Sequence, residues 1–153
     1  MKFILVLFLL ELYNSSEGCE VGWLRFQTKC YMFSHTSASW AEAESICNAF
    51  NSILAEPRAH DESMFLISHS ENEAGHFWIG ISDIVDEDRW IYSSDLQVIR
   101  VNNFHSGEPN EHTSANCVAL WKPFHGYWAD EACSRRYNFI CERPQDSGVD
   151  VIG

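Results

Sequence analysis

The spacing of hydrophobic and polar positions predicts two helices. In the segment 37–50, polar residues separate apolar residues that recur at helical intervals, namely Trp40, Ala43, Ile46, Cys47 and Phe50. Ser37 or Ser39 can cap this helix, because a serine hydroxyl accepts a hydrogen bond from a free backbone N–H at a helix start. A second helix is predicted over 60–73, with Asp61 near its start. Its inward-facing residues are predicted to be Met64, Phe65, Ile67 and Leu66.

Short runs of β-branched and aromatic residues predict strands around these helices. A hairpin is predicted over 19–33, where apolar runs flank a polar turn. Further strands are predicted at 53–57, 76–83, 89–92, 117–121, 126–133 and 138–143. Residues 93–114 lack periodicity, and about twenty residues without regular structure inside a compact domain usually form a functional loop. Two helices followed mostly by strands predict an α+β domain.

The N-terminus has the pattern of a secretory signal. Lys2 precedes the apolar run Phe3–Leu10, which is too short to span a bilayer. We therefore predict a signal peptide at 1–18, one domain at 19–144 and a short polar tail at 145–153. The alternative is an N-terminal anchor. No later stretch is long and apolar enough to cross a membrane, so we expect a secreted, extracellular protein without membrane insertion.

Composition and charge narrow the range of partners. The chain has 153 residues, of which 46% are hydrophobic, so it can build one well-packed core. Its formal net charge of −12 argues against a nucleic-acid partner, because phosphate binding needs Lys and Arg. The six cysteines are even in number and none has C-x-x-C spacing, which favours disulfides over a metal site built on sulfur. Sequence alone does not fix how they pair.

A series of short motifs resembles the C-type lectin-like domain. The motifs are, in order, WAEAESIC in the first helix, WIGI at 78–81, EPN at 108–110, CVAL at 117–120, WAD-x-x-C at 128–133 and FICE at 139–142. They cover nearly all of the predicted domain in the family's order. The resemblance implies two helices packed on small antiparallel sheets, with a long ligand-binding loop, similar to invertebrate perlucin-like lectins. It also implies three disulfides, Cys19–Cys30, Cys47–Cys141 and Cys117–Cys133.

The resemblance also implies a sugar site. In lectins of this family, calcium keeps coordination positions that two neighbouring sugar hydroxyls fill, and the same side chains hydrogen-bond those hydroxyls. Glu-Pro-Asn is the family's signature for mannose-type sugars, whereas Gln-Pro-Asp is the galactose-type signature. A cis peptide bond before Pro109 is implied, with Glu108 and Asn110 turned to one side. The implied sugar-binding set is Glu108, Asn110, Glu111, His112 and Asp130, and the implied primary calcium ligands are Glu108, Asn110 and Asp130.

Two departures leave the primary calcium set incomplete. Ala129 stands where the family has asparagine and Ala115 where it has glutamate, and alanine has no side-chain oxygen. Oxygen-bearing residues do occupy the family's auxiliary calcium site, which the resemblance places at Asp83, Glu87, Glu111 and Asn116. The alternative for the acidic run around Glu87 is a solvated turn.

These observations predict a secreted lectin that recognises mannose-type glycans with calcium and serves innate recognition of microbes. The alternative is a lectin-like domain with reduced or lost calcium-dependent sugar binding that acts as a protein- or mineral-binding module. We do not expect an enzyme, because only the carboxylates of Glu108 and Asp130 suggest catalysis and no nucleophile has a recognisable setting. A homodimer remains open, since single sugar sites bind weakly and useful avidity needs several sites.

Overall fold

The first helix, α1, follows the predicted pattern. The structure, a computed structural model, describes residues 18–146, so all but the last residue of the predicted signal peptide and most of the polar tail lie outside it. Helix α1 spans Trp40–Ala49, and Ser39 forms a capping box with Glu42 at its start. Phe50, one of the apolar residues that recur at helical spacing, follows the helix as its C-cap and is 52% exposed. Its side chain is exposed because the helix ends one residue earlier.

The second helix, α2, is shorter than predicted. It spans His60–Ser70, with Asp61 in its first turn. Beyond its end, the Lys122 amino group donates to the carbonyl oxygens of Glu71 and Glu73 at 2.7 and 2.9 Å. The Lys122 amino group therefore satisfies carbonyl oxygens that a longer helix would pair with backbone N–H groups. Of the residues predicted to face inward, Leu66 and Ile67 are buried, while Met64 and Phe65 pack half-buried against the core.

In the described part of the chain, eight strands form a mixed sheet. They are β1 Leu24–Phe26, β2 Lys29–Phe33, β3 Ile53–Leu54, β4 Phe77–Ser82, β5 Ile91–Tyr92, β6 Cys117–Leu120, β7 Trp128–Glu131 and β8 Asn138–Pro144. The order is β1-β2-β8-β4-β6-β7, with β3 paired to β8 and β5 paired to β4. Among these strands the pairings are antiparallel except that of β4 with β8. Strand β8 lies between β2 and β4, so it joins the two antiparallel parts of the sheet.

Two apolar clusters form the core. The larger contains Leu66 and Ile67 of α2 and packs them against the strands, with Trp128 fully buried among them. The smaller packs α1 against the sheet through Trp40 and Trp78. Both of these indoles donate a hydrogen bond to a backbone carbonyl, as buried tryptophans usually do.

The three disulfides agree with the pairing that the family resemblance implied. Cys47–Cys141 ties α1 to β8, Cys117–Cys133 closes the segment that contains β6 and β7, and Cys19–Cys30 anchors the N-terminal end of the domain. No cysteine among the described residues is free. The prediction of three disulfides is therefore confirmed.

The long loop lies along the edge strand β7. Between β5 and β6 the chain forms only a 3-10 turn, His112–Ser114, and isolated bridges. Two backbone hydrogen bonds fix the middle of the loop to β7, one from Trp128 to Asn103 and one from His105 to Trp128. The residues that follow His105 are therefore held next to the end of β7.

Candidate functional site

A tight turn positions the tripeptide Glu108–Asn110. The Glu108 N–H donates to the carbonyl of His105 at 2.8 Å, and Gly107 in this turn has a φ of +91°, which favours glycine. The peptide bond between Glu108 and Pro109 is cis, as the motif predicted. The His105 ring stacks on Phe124, with centroids 4.0 Å apart, and this contact connects the turn to the neighbouring loop.

Asp130 holds the backbone of the tripeptide. It is the third residue of β7 and is only 1% exposed. One carboxylate oxygen accepts the N–H of Asn110 and the other accepts the N–H of Glu111, both at 3.0 Å. A carboxylate has lone pairs for about four such contacts, so each oxygen keeps capacity for a further partner. The structure thus brings Glu108, Asn110 and Asp130 together at one point.

The Glu108 carboxyl lies in an unusual electrostatic setting. Burial raises its pKa to about 8, and the adjacent carboxylate of Asp130 adds to this effect through a hydrogen bond and through its charge. Its Oε2 atom is buried without a hydrogen-bond partner in the part of the chain that the structure describes. Two acidic side chains therefore lie close together at the tripeptide.

Ala115 and Ala129 limit the number of side-chain oxygens available beside Glu108, Asn110 and Asp130. Ala129 pairs with Ala119 across β6 and β7 and is 2% exposed, and Ala115 is fully buried at the end of the 3-10 turn. Neither can contribute a side-chain ligand. The remaining possible metal ligands are carboxylate and amide oxygens, which calcium prefers. One of them, the buried Oε2 atom of Glu108, has no hydrogen-bond partner among the described residues. Glu108, Asn110 and Asp130 therefore fit a calcium ion, with fewer protein ligands than the full set of the family.

The residues predicted for the auxiliary calcium site are distributed over three positions. Buried Asp83 accepts the N–H of Asp88, and Asn116, with its amide oriented to satisfy its neighbours, donates to the other Asp83 oxygen at 3.0 Å. Glu111 lies instead beside Glu131, whose pKa is raised by burial and by the charge of Glu111. This calcium site stays a prediction.

Glu87 and His112 meet on the outer side of the loop. Together with Asp88 they bring one ligand atom each within 4.8 Å of one another. No other group of three His, Cys, Asp or Glu side chains does so within residues 18–146. The pKa of Glu87 is raised by partial desolvation and by the charges of Asp83 and Asp88. The sequence singled out Glu87 and His112 separately but missed Asp88, although the run of acidic residues contained it.

Within residues 18–146, no helix has the length and apolar character needed to cross a membrane.

The family model described as Lectin C-type domain matches residues 36–143. Perlucin from Haliotis laevigata is 32% identical over 130 residues, which cover 82% of this chain and 83% of perlucin. Asialoglycoprotein receptor 2 from Homo sapiens is 29% identical over 140 residues, which cover 87% of this chain and 43% of the receptor. The chain thus spans most of the perlucin length but less than half of the receptor.

Solved structures show the same fold. The mouse scavenger receptor C-type lectin carbohydrate-recognition domain matches with a TM-score of 0.78 at 27% identity, covering 86% of this chain and 100% of that domain. The carbohydrate-recognition domain of cow CD23, determined in the presence of GlcNAc2Man3 oligosaccharide, matches with a TM-score of 0.74 at 29% identity. That match covers 83% of this chain and 96% of the CD23 domain.

Proposed function

Since the chain belongs to the C-type lectin domain family, which binds carbohydrate rather than catalysing reactions, we propose that it is a secreted lectin for mannose-type glycans. The observation that carries the proposal is the cis Glu108–Pro109 tripeptide held against Asp130. Members of this family generally bind calcium, and the oxygen donors at this point fit that ion. Glycans on microbial surfaces are the targets that we propose.

The side chains of the tripeptide would read the sugar hydroxyls. Glu108, when ionised, can only accept hydrogen bonds, whereas the Asn110 amide can donate one and accept another. A pair of neighbouring hydroxyls, each of which both donates and accepts, matches this combination. Bound calcium would supply positive charge and coordination positions for the hydroxyl oxygens. Asp130 keeps Asn110 in place through the backbone, and we propose that Glu111 and His112 border the bound sugar.

Retention on mannan with calcium, followed by elution with chelator, tests this proposal. The variants Glu108→Ala and Asp130→Ala should lose retention. Glu20→Gln serves as the control, because Glu20 is 67% exposed and its carboxylate is paired with Arg143, away from the tripeptide. Retention that survives chelation would contradict the calcium-dependent mechanism, and absence of retention would contradict the mannose-type specificity. A glycan array with and without calcium would then define the preferred sugar.

Ala115 and Ala129 favour a second candidate, a lectin-like domain that has lost calcium-dependent sugar binding and binds protein or mineral. Few protein ligands predict weak calcium affinity, at dissociation constants of about 0.1–1 mM. Calorimetry separates the candidates, because heat of binding within that range supports the lectin and no heat up to millimolar calcium supports the second candidate. We also propose a homodimer to raise avidity, which light scattering of the purified chain would test.

A further inference from the structure

The outer face of the loop carries a cluster of unlike metal ligands. Glu87 and Asp88 end the acidic run that connects β4 to β5, and His112 begins the 3-10 turn after the tripeptide. The His112 Nδ1 and Asp88 Oδ1 atoms are 3.7 Å apart, and the Glu87 carboxylate completes the group within 4.8 Å. All three side chains are exposed, so an ion can reach them from solvent.

The side chains of Glu87, Asp88 and His112 have few contacts within the described part of the protein. Apart from the contact between His112 and Asp88, they make no hydrogen bond or ion pair with any residue from 18 to 146. Both His112 and Asp88 have side chains more than 65% exposed, at 70% and 66%. The group is therefore free to rearrange around a ligand without breaking existing contacts.

We propose that Glu87, Asp88 and His112 bind a borderline divalent cation of the zinc class. Zinc takes imidazole nitrogen and carboxylate oxygen in tetrahedral geometry, with bonds of about 2.0–2.2 Å. Such bonds place neighbouring donor atoms about 3.3 Å apart, so the 3.7 Å between His112 and Asp88 is close to what zinc requires. Three protein ligands leave the fourth position to water.

The imidazole of His112 distinguishes this site chemically from a calcium site. Calcium is a hard ion that takes oxygen ligands, whereas imidazole nitrogen suits zinc and its neighbours in the transition series. The family resemblance assigned Glu87 to an auxiliary calcium ion, and in the structure its carboxylate lies within 4.8 Å of an imidazole nitrogen of His112. The bound ion would connect the acidic loop to a residue only two positions after Asn110, and so would fix the edge of the sugar site.

Calorimetric titration of the metal-free full chain with Zn²⁺ tests the site. The wild type should bind one ion. His112→Ala and Asp88→Asn should each weaken that binding by at least about tenfold, since even the loss of a residue that supports a ligand typically costs that much. Both residues are exposed, so the variants should keep the melting temperature of the metal-free wild type. One millimolar calcium should leave the zinc affinity of the wild type unchanged.

His125→Ala is the matched control. His125 is 85% exposed and lies 3.2 Å from the Glu71 carboxylate, so it reproduces one histidine–carboxylate pair without a third ligand. Its loss should not change zinc affinity. Absence of zinc binding, full affinity in His112→Ala, or an equal loss in His125→Ala would each overturn the proposal. Because no sugar is present, this result is independent of the mannan experiment.

Discussion

At the scale of single residues, the ionisation of Glu108 makes the stability of the domain depend on pH. Its pKa of about 8 in the folded chain lies above the usual value of 4.5, so folding binds a proton. The stabilisation is complete below pH 4.5 and is lost as the pH rises through 8. We expect Glu108→Gln, which resembles the protonated form, to remove this loss. Because water reaches part of the side chain, the gain above pH 8 should be about 1–3 kcal/mol.

Urea unfolding in chelator at pH 5 and pH 9 measures this difference. At pH 5 the wild type and Glu108→Gln should have nearly equal free energies of unfolding, and at pH 9 the variant should be the more stable. Glu20→Gln, which removes an exposed carboxylate that is paired with Arg143, should show no such gain. An equal gain at both pH values would mean that the change acts through something other than the ionisation of Glu108.

Sequence motifs predicted which residues lie together at the tripeptide better than they predicted the surroundings of the tripeptide. Glu108, Asn110 and Asp130 come together as expected, because their motifs are tied to one turn and one strand. Asp88 was not predicted, because its approach to His112 depends on how two irregular loops fold against each other. Periodicity carries no information there, since neither loop repeats a hydrophobic pattern.

At the scale of elements, Lys29 connects β2 to α2 and β8. Its amino group lies 2.9 Å from Glu62 and 3.1 Å from Glu142, and both carboxylates are buried. Burial raises the pKa of Glu142 to about 7 despite the nearby cation. We expect Lys29→Met to lower the free energy of unfolding by about 2–4 kcal/mol at pH 8, because it leaves buried charge unpaired.

The contribution of Glu142 gives this prediction its pH dependence. The folded pKa of Glu142 lies above its unfolded value, so the carboxyl is protonated at pH 5 and needs no cation there. The cost of Lys29→Met should therefore be smaller at pH 5 than at pH 8. Arg25→Met provides the control, because Arg25 is exposed and its side chain hydrogen-bonds, among residues 18–146, only to the carbonyl of Gln27. A cost for Lys29→Met that did not change with pH would contradict the role given to Glu142.

Gly126 determines how closely the segment after β6 approaches α2. Its φ is +85°, and an added Cβ would lie 2.6 Å from the Ser70 hydroxyl and 2.9 Å from the Ile67 carbonyl. We expect Gly126→Ala to lower stability by more than the roughly 1–2 kcal/mol that the left-handed conformation alone costs. Gly22→Ala is the matched comparison, since Gly22 has a φ of +89° but nothing within 4 Å.

Thermal unfolding of the two glycine variants separates strain from steric overlap. Both should lose stability from the backbone conformation, and only Gly126→Ala should lose more because α2 must shift. Equal losses would mean that the helix yields without cost. The sequence could not predict this contact, because helical spacing identifies which residues of α2 face inward but not which backbone they meet. For the same reason, the spacing did not show that α1 ends before Phe50.

At the scale of the whole molecule, the sequence predicted the class of fold but not the order of the strands in the sheet. The parallel pairing of β4 with β8 joins strands that are far apart in the chain. Local patterns of hydrophobic residues do not specify such a pairing, because the same strand sequence can pair in either direction. The family resemblance implied small antiparallel sheets, so it did not predict this parallel pairing either.

The disulfides should stabilise the molecule according to the length of chain that each closes. Cys47–Cys141 spans 94 residues and connects α1 to the last strand, whereas Cys19–Cys30 spans 11. In the chain-entropy model these loops correspond to about 4.7 and about 2.8 kcal/mol of stabilisation. Replacing Cys47 and Cys141 by alanine should therefore lower the free energy of unfolding more than replacing Cys19 and Cys30. The buried position of Cys47 adds to its loss, because truncation also leaves a cavity in the core. Urea unfolding of the two double variants measures the difference, and an equal loss in both would show that loop length does not set the contribution of these bonds.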